Sequence, residues 1–374
     1  MTDSSALGII FSNMHDDYLG ELTSHRTMAS IPFGGRYRLV DFALSNMVNS
    51  GISNVGVITK SNYQSLMDHL GSGREWDLAR KRGGLVLLPP YASADSSGVY
   101  RGRLDALANV IGYIQRTRAK YVVISDCDVV ANIDLKKIIR SHERSGAQIT
   151  LLYSQQNVTE DMRRDITLLE MDTDNRVREV LINPFATGVR NVYMDIAVIE
   201  KDLLEKIILD GRSRNQLSFR KDVLVAQKDK IIIKAYEFDK YIVRINSIAS
   251  YYEASMQLLN PEVRFELFPP DRPVKTKVRD EVPVKYGLAA SVSNSLLADG
   301  CIIEGEVENS ILFRGVKVGR GAKVKNSIVM QGSIVGDSAG LDYVIADRDV
   351  TIRDTRRLMG YVSYPLFITK GSVV

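Results

Sequence analysis

Between residues 312 and 334 the apolar side chains return every six residues. Leu312, Val318, Val324 and Met330 form one register, and Val316, Ala322, Ile328 and Ile334 form its companion, with glycines at 315, 319, 321, 332 and 336 between them. This period matches neither the helical repeat of about 3.6 residues nor the two-residue alternation of a strand. It is the repeat of a parallel β-helix, in which each six-residue step makes one side of a coil and the inward side chains stack coil on coil. The repeat is short and predicts only a few coils. Such a stack exposes its end strands and needs a cover. The segment from Arg356 to Val374, with Tyr361, Tyr364, Leu366 and Ile368, is placed to supply one.

Upstream, to about residue 260, apolar strand-like runs alternate with helix-like ones. Strands are predicted at 7–11, 54–59, 121–125 and 148–153. Helices are predicted from Leu104 to Arg116 and from Leu135 to Ser145, the second stopped by Gly146. Continuous apolar strands separated by helices imply βαβ units and a mainly parallel sheet covered on both faces. The pattern breaks near Pro261, and Phe268-Pro269-Pro270-Asp271-Arg272-Pro273 can continue neither a helix nor a central strand. The basic residues that follow, Lys275, Lys277 and Arg279, fit either a solvated connector or a contribution to anion binding. The expected plan is an α/β domain over 1–262, a linker over 263–290 and a β-helix domain over 291–374, and 374 residues suffice for it.

The net charge of +4 gives no electrostatic argument for nucleic acid, and no recognition motif for it occurs. Cys127 and Cys301 are too far apart in sequence to indicate a zinc motif or a disulfide framework. No apolar run approaches the length of a membrane span, and no signal-peptide layout opens the chain, so a cytoplasmic protein is expected. The four histidines, His15, His25, His69 and His142, all lie outside the hexapeptide region. A β-helix acyltransferase would need one as general base, which argues against that activity.

Several segments together carry a specific likeness. They are Pro32-Phe33-Gly34-Gly35-Arg36-Tyr37-Arg38-Leu39-Val40-Asp41-Phe42, Leu44-Ser45-Asn46, Asn49-Ser50-Gly51-Ile52, Gly71-Ser72-Gly73-Arg74-Glu75-Trp76-Asp77-Leu78 and Leu87-Leu88-Pro89-Pro90-Tyr91. With them the chain resembles the bacterial glucose-1-phosphate adenylyltransferases (ADP-glucose pyrophosphorylases) over nearly its full length. The resemblance implies a Rossmann-like nucleotidyltransferase domain followed by a left-handed parallel β-helix. It implies a reaction of ATP with glucose 1-phosphate to ADP-glucose and pyrophosphate, with Mg²⁺ held by carboxylates. It also implies tetramers controlled by phosphorylated metabolites. Nucleotide- or substrate-side positions fall by resemblance on Gly8, Gly34, Gly35, Gly102, Asp105 and Asn183, and the metal-binding aspartate on Asp128.

The chain departs from that pattern where the chemistry is done. The triphosphate loop, glycines and an arginine in the family, corresponds to a stretch from Ser12 to Leu19 that contains Asp16 and Asp17. Without glycine the backbone cannot approach phosphates closely, and carboxylates repel them. The family's Lys-Pro pair reads Met28-Ala29. The second metal aspartate is replaced by Arg244, and a guanidinium does not coordinate Mg²⁺. The sugar-phosphate lysine is lost in Ile182-Asn183-Pro184, a Gly-Thr-Ala segment reads Gly102-Arg103-Leu104, and a Ser-Met-Gly site becomes Tyr193-Met194-Asp195, adding negative charge where glucose phosphate would lie.

Losses at the triphosphate loop, a metal ligand and the sugar-phosphate site together resemble the GlgD-type subunit, a degenerate relative that pairs with a catalytic adenylyltransferase subunit. That implies a regulatory subunit of a hetero-oligomer in glycogen biosynthesis, with Mg²⁺ not productively bound. Asp128, Asp105 and Gly34-Gly35 keep open a stand-alone sugar-phosphate nucleotidyltransferase of altered specificity or low activity. For a phosphorylated effector, the resemblance and charge place candidates at His25, Arg38, Lys323 and Lys325.

Overall fold

The computed structural model describes residues 6–12, 19–90, 100–160, 162 and 165–374. Asp16 and Asp17, with most of the altered phosphate-loop stretch, lie outside them. The apolar run Ala6–Phe11 becomes a fully buried strand. It pairs in parallel with Asn54–Ile58 on one side and Tyr121–Asp126 on the other, and Asn54–Ile58 pairs in parallel with Gly84–Leu88. The long strand Gly188–Glu200 then joins Tyr121–Asp126 in antiparallel sense and carries Ile149–Val158 and Thr167–Met171. The parallel half and its antiparallel extension make one nine-stranded sheet. Side chains alternate along its strands, so Ile10, Val55 and Val123 meet the core of one face while Leu7, Ile9 and Val122 meet that of the other.

Gly8 sits inside the first strand, where a Cβ would lie 3.0 Å from Met47 Sδ, which makes it a packing glycine. The expected helix 135–145 forms as Leu135–Ser145, capped by Asp134 at its start and by Gly146 at φ +64° at its end. The expected helix 104–116 is two helices, Arg103–Asn109 and Ile111–Gln115. Val110 leaves the helical region at φ −108°, ψ 12° and turns its side chain into the core, so tertiary packing overrides the continuous pattern. After the sheet domain, Ile248–Gln257 and Pro261–Leu267 form helices, the second with proline at its first turn. The Pro-rich stretch beyond Leu267 turns at 269–272, where Arg272 N donates to Pro269 O at 3.1 Å.

The hexapeptide region is a left-handed parallel β-helix of three five-stranded parallel sheets. Its first strand is Lys285–Tyr286, within the segment read as linker. Leu312, Val318 and Val324 point inward, as do Val316 and Ala322, whereas Ile328 and Met330 are buried against the first domain and Val329 between them points inward. Ile334 does not point inward either; it is 40% exposed while Val335 is buried. Lys317 pairs with Ile334, Lys323 with Gly340 and Ile328 with Ile345, each seventeen residues on. Three strict hexapeptides would give eighteen, so a six-residue count slips by one position per coil and lands beside the inward site. At the far end Leu366–Ile368 completes the last coil and Val373 bridges Thr351, whereas Tyr361 and Tyr364 stay exposed.

The two domains share a core. Phe33, Phe42 and Tyr251 pack in one cluster with Ile311, Ile328 and Ile345 of the β-helix. Tyr251 Oη donates to Pro32 O at 2.7 Å, and Tyr252 Oη to Asn326 O at 2.6 Å.

Candidate functional site

Asp126 and Asp128 stand at the C-terminal end of Tyr121–Asp126, where the sheet changes from parallel to antiparallel and α/β folds place ligand sites. Further segments converge on them, including the helix that begins at Arg103 and the chain at Asp165. The Gly188–Glu200 strand carries a β-bulge between Tyr193 and Ala197, within which Asp195 takes φ +54°. Bulges re-aim side chains, and this one buries the Asp195 carboxylate completely. Arg244 ends the Ile242–Arg244 strand, whose partner is Val129–Ala131. Arg220 comes from a π-helical turn, Phe219–Val225.

The result is an ionic cluster. Arg244 Nε donates to Asp128 Oδ2 at 2.7 Å and Arg244 Nη2 to Asp165 Oδ2 at 2.6 Å, with Asp195 Oδ2 at 3.0 Å. Arg103 Nη1 donates to Asp195 Oδ1 at 2.7 Å and its Nη2 to Asp126. Arg220 donates to both oxygens of Asp195 and, at 2.6 Å, to Asp165 Oδ1. Burial alone would raise the Asp195 carboxyl, but Arg103, Arg220 and Arg244 hold it well below the usual carboxylate range. In return, the carboxylates more than offset burial at Arg103 and Arg244 and raise both guanidiniums. Each buried member of the cluster thus has groups of opposite charge in contact.

The donor oxygens of Asp126, Asp128 and Asp195 lie within 4.8 Å of one another, a spacing a metal ion could bridge. The residues nevertheless do not fit Mg²⁺. Its oxygen ligands must approach to about 2.0–2.1 Å in an octahedron, whereas here these carboxylates are engaged by guanidiniums that would also repel a dication.

The other positions drawn from the sequence fall elsewhere. Gly102 is wedged against the chain, where a Cβ would meet Leu217 O at 2.3 Å. Asp105 accepts from Arg101 N at 3.0 Å in the first turn of its helix. Asn183 is exposed in a turn at φ +51°. Gly34 and Gly35 turn the Pro32–Phe33 and Tyr37–Arg38 hairpin at φ +58° and +82°, and Gly35 faces the β-helix rather than the ionic cluster.

That hairpin borders a second site, a cleft between the domains. Arg26, Arg36 and Arg38 enter it from the first domain, Lys277 and Arg279 from the connector, and Arg314 and Arg348 from the β-helix; among the described residues no carboxylate lines it. Arg26 is held by Asp347 at 2.6 and 2.8 Å. Arg38 Nη1 donates to Ser65 O and Oγ at 2.6 and 2.9 Å. Arg26 Nη1, Arg314 Nε and Nη2, and Arg348 Nε are buried with no hydrogen-bond partner among the described residues. Burial, with Arg348, Arg26 and Arg279 nearby, pushes Arg38 down to about 10. Burial and neighbouring arginines likewise lower Arg314 and Arg348. Crowded, desolvated donors of this kind are what a multiply charged anion satisfies.

Of the effector candidates, Arg38 lines this cleft. His25 is exposed and outside it, and Lys323 and Lys325 pair with Glu306 and Glu308 on an outer face of the β-helix at 3.1 and 2.8 Å. Of the connector residues, Lys277 and Arg279 reach the cleft and Lys275 does not. Arg26, Arg36, Arg314 and Arg348 escaped sequence reasoning, since nothing in their spacing joins residues so far apart. Arg220 and Asp165 of the ionic cluster escaped it for the same reason.

Fold and sites together define a nucleotidyltransferase-type domain joined to a hexapeptide β-helix. The Nucleotidyl transferase family model matches residues 17–178, and the GlmU-like, C-terminal hexapeptide model matches residues 281–361. The chain is 35% identical to the glycogen biosynthesis protein GlgD of Bacillus subtilis, over all of this chain and 98% of that protein. It is 38% identical to GlgD of Geobacillus stearothermophilus over 86% of this chain and 83% of that one. It is 32% identical to the glucose-1-phosphate adenylyltransferase of Thermotoga neapolitana over 86% of this chain and 76% of that one. The chain belongs to the nucleotidyltransferase family that contains the GlgD proteins and the glucose-1-phosphate adenylyltransferases.

Proposed function

We propose that this chain is a regulatory, catalytically degenerate subunit of a cytoplasmic glucose-1-phosphate adenylyltransferase assembly in glycogen biosynthesis. The observation that carries this reading is the seating of Arg244 on Asp128, with Arg103 and Arg220 pairing the neighbouring carboxylates. Adenylyl transfer places negative charge on the α-phosphate and pyrophosphate, and a dication is the usual means of stabilising it. A centre whose carboxylates are already committed to arginine has no ligand set to offer that ion. The chain's contribution is then made through contact with a catalytic relative.

The inter-domain cleft gives that role an input. Its buried, unsatisfied guanidinium donors suit a phosphorylated metabolite. An anion seated there touches both domains and the connector, and so bears on how the β-helix and the sheet domain are held.

The test is an ADP-glucose synthesis assay run on this chain, on a catalytic relative, and on the two co-expressed. The expected result is negligible turnover by this chain and stimulation of the relative on co-expression. Metal-dependent turnover by this chain alone would instead favour a stand-alone sugar-phosphate nucleotidyltransferase.

A further inference from the structure

The ionic cluster is more than a site with a ligand missing. Arg103, Asp195 and Arg244 each look like an isolated loss in the sequence, yet in the fold both arginines contact Asp195. Arg103 Nη1 bonds Asp195 at 2.7 Å and Arg244 Nη2 lies 3.0 Å from the same carboxylate. Asp195 is fully buried at the left-handed turn of its bulge, a conformation that an L-residue other than asparagine or aspartate adopts at a cost. A buried carboxylate there is tolerable only with cations beside it, and buried arginines at 103 and 244 only with carboxylates. The substitutions therefore form one compensated unit.

We infer that the Arg244 guanidinium is the resident cation of this centre, standing in for a divalent metal among Asp126, Asp128 and Asp195, and that its removal uncovers a metal site. Arg244 contacts Asp128, Asp165 and Asp195, and so bridges separate carboxylates as an ion would. Unlike an ion, it is tethered, cannot be chelated away and leaves no open coordination position for substrate. The oxygens of Asp126, Asp128 and Asp195 already lie within 4.8 Å of one another. Loss of the guanidinium takes that cation from Asp128 and leaves four carboxylates to the two guanidiniums of Arg103 and Arg220, an excess of negative charge that favours entry of a hard, oxygen-seeking dication.

The inference rests on the degenerate reading of this centre, but its readout is metal binding rather than turnover, so the two fail separately. The experiment uses the full-length chain and Mn²⁺, followed by electron paramagnetic resonance and calorimetry with Mg²⁺ as competitor. The unsubstituted chain is expected to bind no Mn²⁺ at the centre, and chelator is expected to leave its melting temperature unchanged. Arg244→Ala is expected to bind one Mn²⁺, to be stabilised by it, and to lose it again in the double variant Arg244→Ala/Asp128→Asn. If the alanine variant does not fold, Arg244→Gln, which removes the charge but retains a donor, carries the same expectation. Two results would overturn the inference: Mn²⁺ binding by the unsubstituted chain that Asp128→Asn abolishes, or a folded Arg244 variant that binds no more Mn²⁺ than the parent.

Discussion

Replacing Asp195 by asparagine removes one charge and almost no volume, and Asp195 is where the guanidiniums meet. Its carboxylate is fully buried and contacts Arg103, Arg220 and Arg244. At an effective dielectric of about 20, each contact near 3 Å is a gross attraction of about 5 kcal/mol. Most of that is offset by the desolvation that the neutral amide avoids. What remains uncompensated is the arginines, still buried and now sharing fewer carboxylates. Removing one partner of a buried ion pair costs about 3–5 kcal/mol. For a domain of this size each kcal/mol lowers the melting temperature by about 2–4 °C, so Asp195→Asn is expected to lower it by about 10 °C. Backbone strain cannot supply the effect, because asparagine tolerates the left-handed conformation as well as aspartate does.

The assay is differential scanning calorimetry of the full chain at two salt concentrations. A buried cluster is poorly screened, so the loss should persist in high salt. Glu306→Gln is the control. It removes an exposed partner of Lys323 at 3.1 Å, and exposed pairs contribute little, so a shift within about 1 °C is expected. A fall of less than about 2 °C for Asp195→Asn would refute the claim that these charges hold one another in place.

Three further outcomes are expected. His142, hydrogen-bonded to Thr150 Oγ1 at 2.8 Å, is pushed down to about 4 by burial and by Lys120. The unfolded chain therefore takes up the proton first, and stability should fall as pH drops from about 6.5 toward 4, flattening in His142→Gln when urea midpoints are compared. Calorimetry with a sugar bisphosphate should show salt-sensitive binding that Arg38→Ala or Arg348→Ala weakens about tenfold, or about 1.4 kcal/mol, and that Lys323→Ala leaves alone. Gly305→Ala should destabilise the β-helix by about 1–3 kcal/mol in thermal unfolding, because its Cβ would lie 2.4 Å from Ala322 O and 2.6 Å from Gly319 O, backbone atoms that cannot swing aside.

The sequence made the architecture legible because both repeats that build it are local. The six-residue return of Leu312, Val318 and Val324 and the apolar run at 121–125 each report an element within one short window. Ile328, Met330 and Ile334 were misread for the same reason: the coil is closed by pairing across seventeen residues, and a local count cannot register the slip. At the ionic cluster, Arg103, Asp195 and Arg244 were each visible as departures from the family pattern. Their mutual contact was not, since it depends on a bulge that turns Asp195 inward and on a strand that delivers Arg244 from across the domain. A signal was present in their signs, with two arginines and one aspartate arriving together. The cleft was harder to read, because its cations come from three distant stretches and only the fold joins them.

The two charged sites answer opposite problems. A buried charge must be neutralised by the protein itself or by something that binds. Around Asp128 the chain supplies its own counter-charge: each carboxylate of the cluster contacts a guanidinium, and no open donor set is left for a dication. Among the described residues of the cleft only Arg26 has a carboxylate partner, Asp347, while Arg38, Arg314 and Arg348 are depressed by burial and by neighbouring arginines, Arg279 among them in each case. The first site is closed electrostatically and the second is left open to an anion. Ligand-dependent behaviour in this chain should therefore follow the cleft and not the centre. Phosphorylated compounds should change its stability while Mg²⁺ does not, and a chain that responded to Mg²⁺ but not to phosphate would have the two sites the wrong way round.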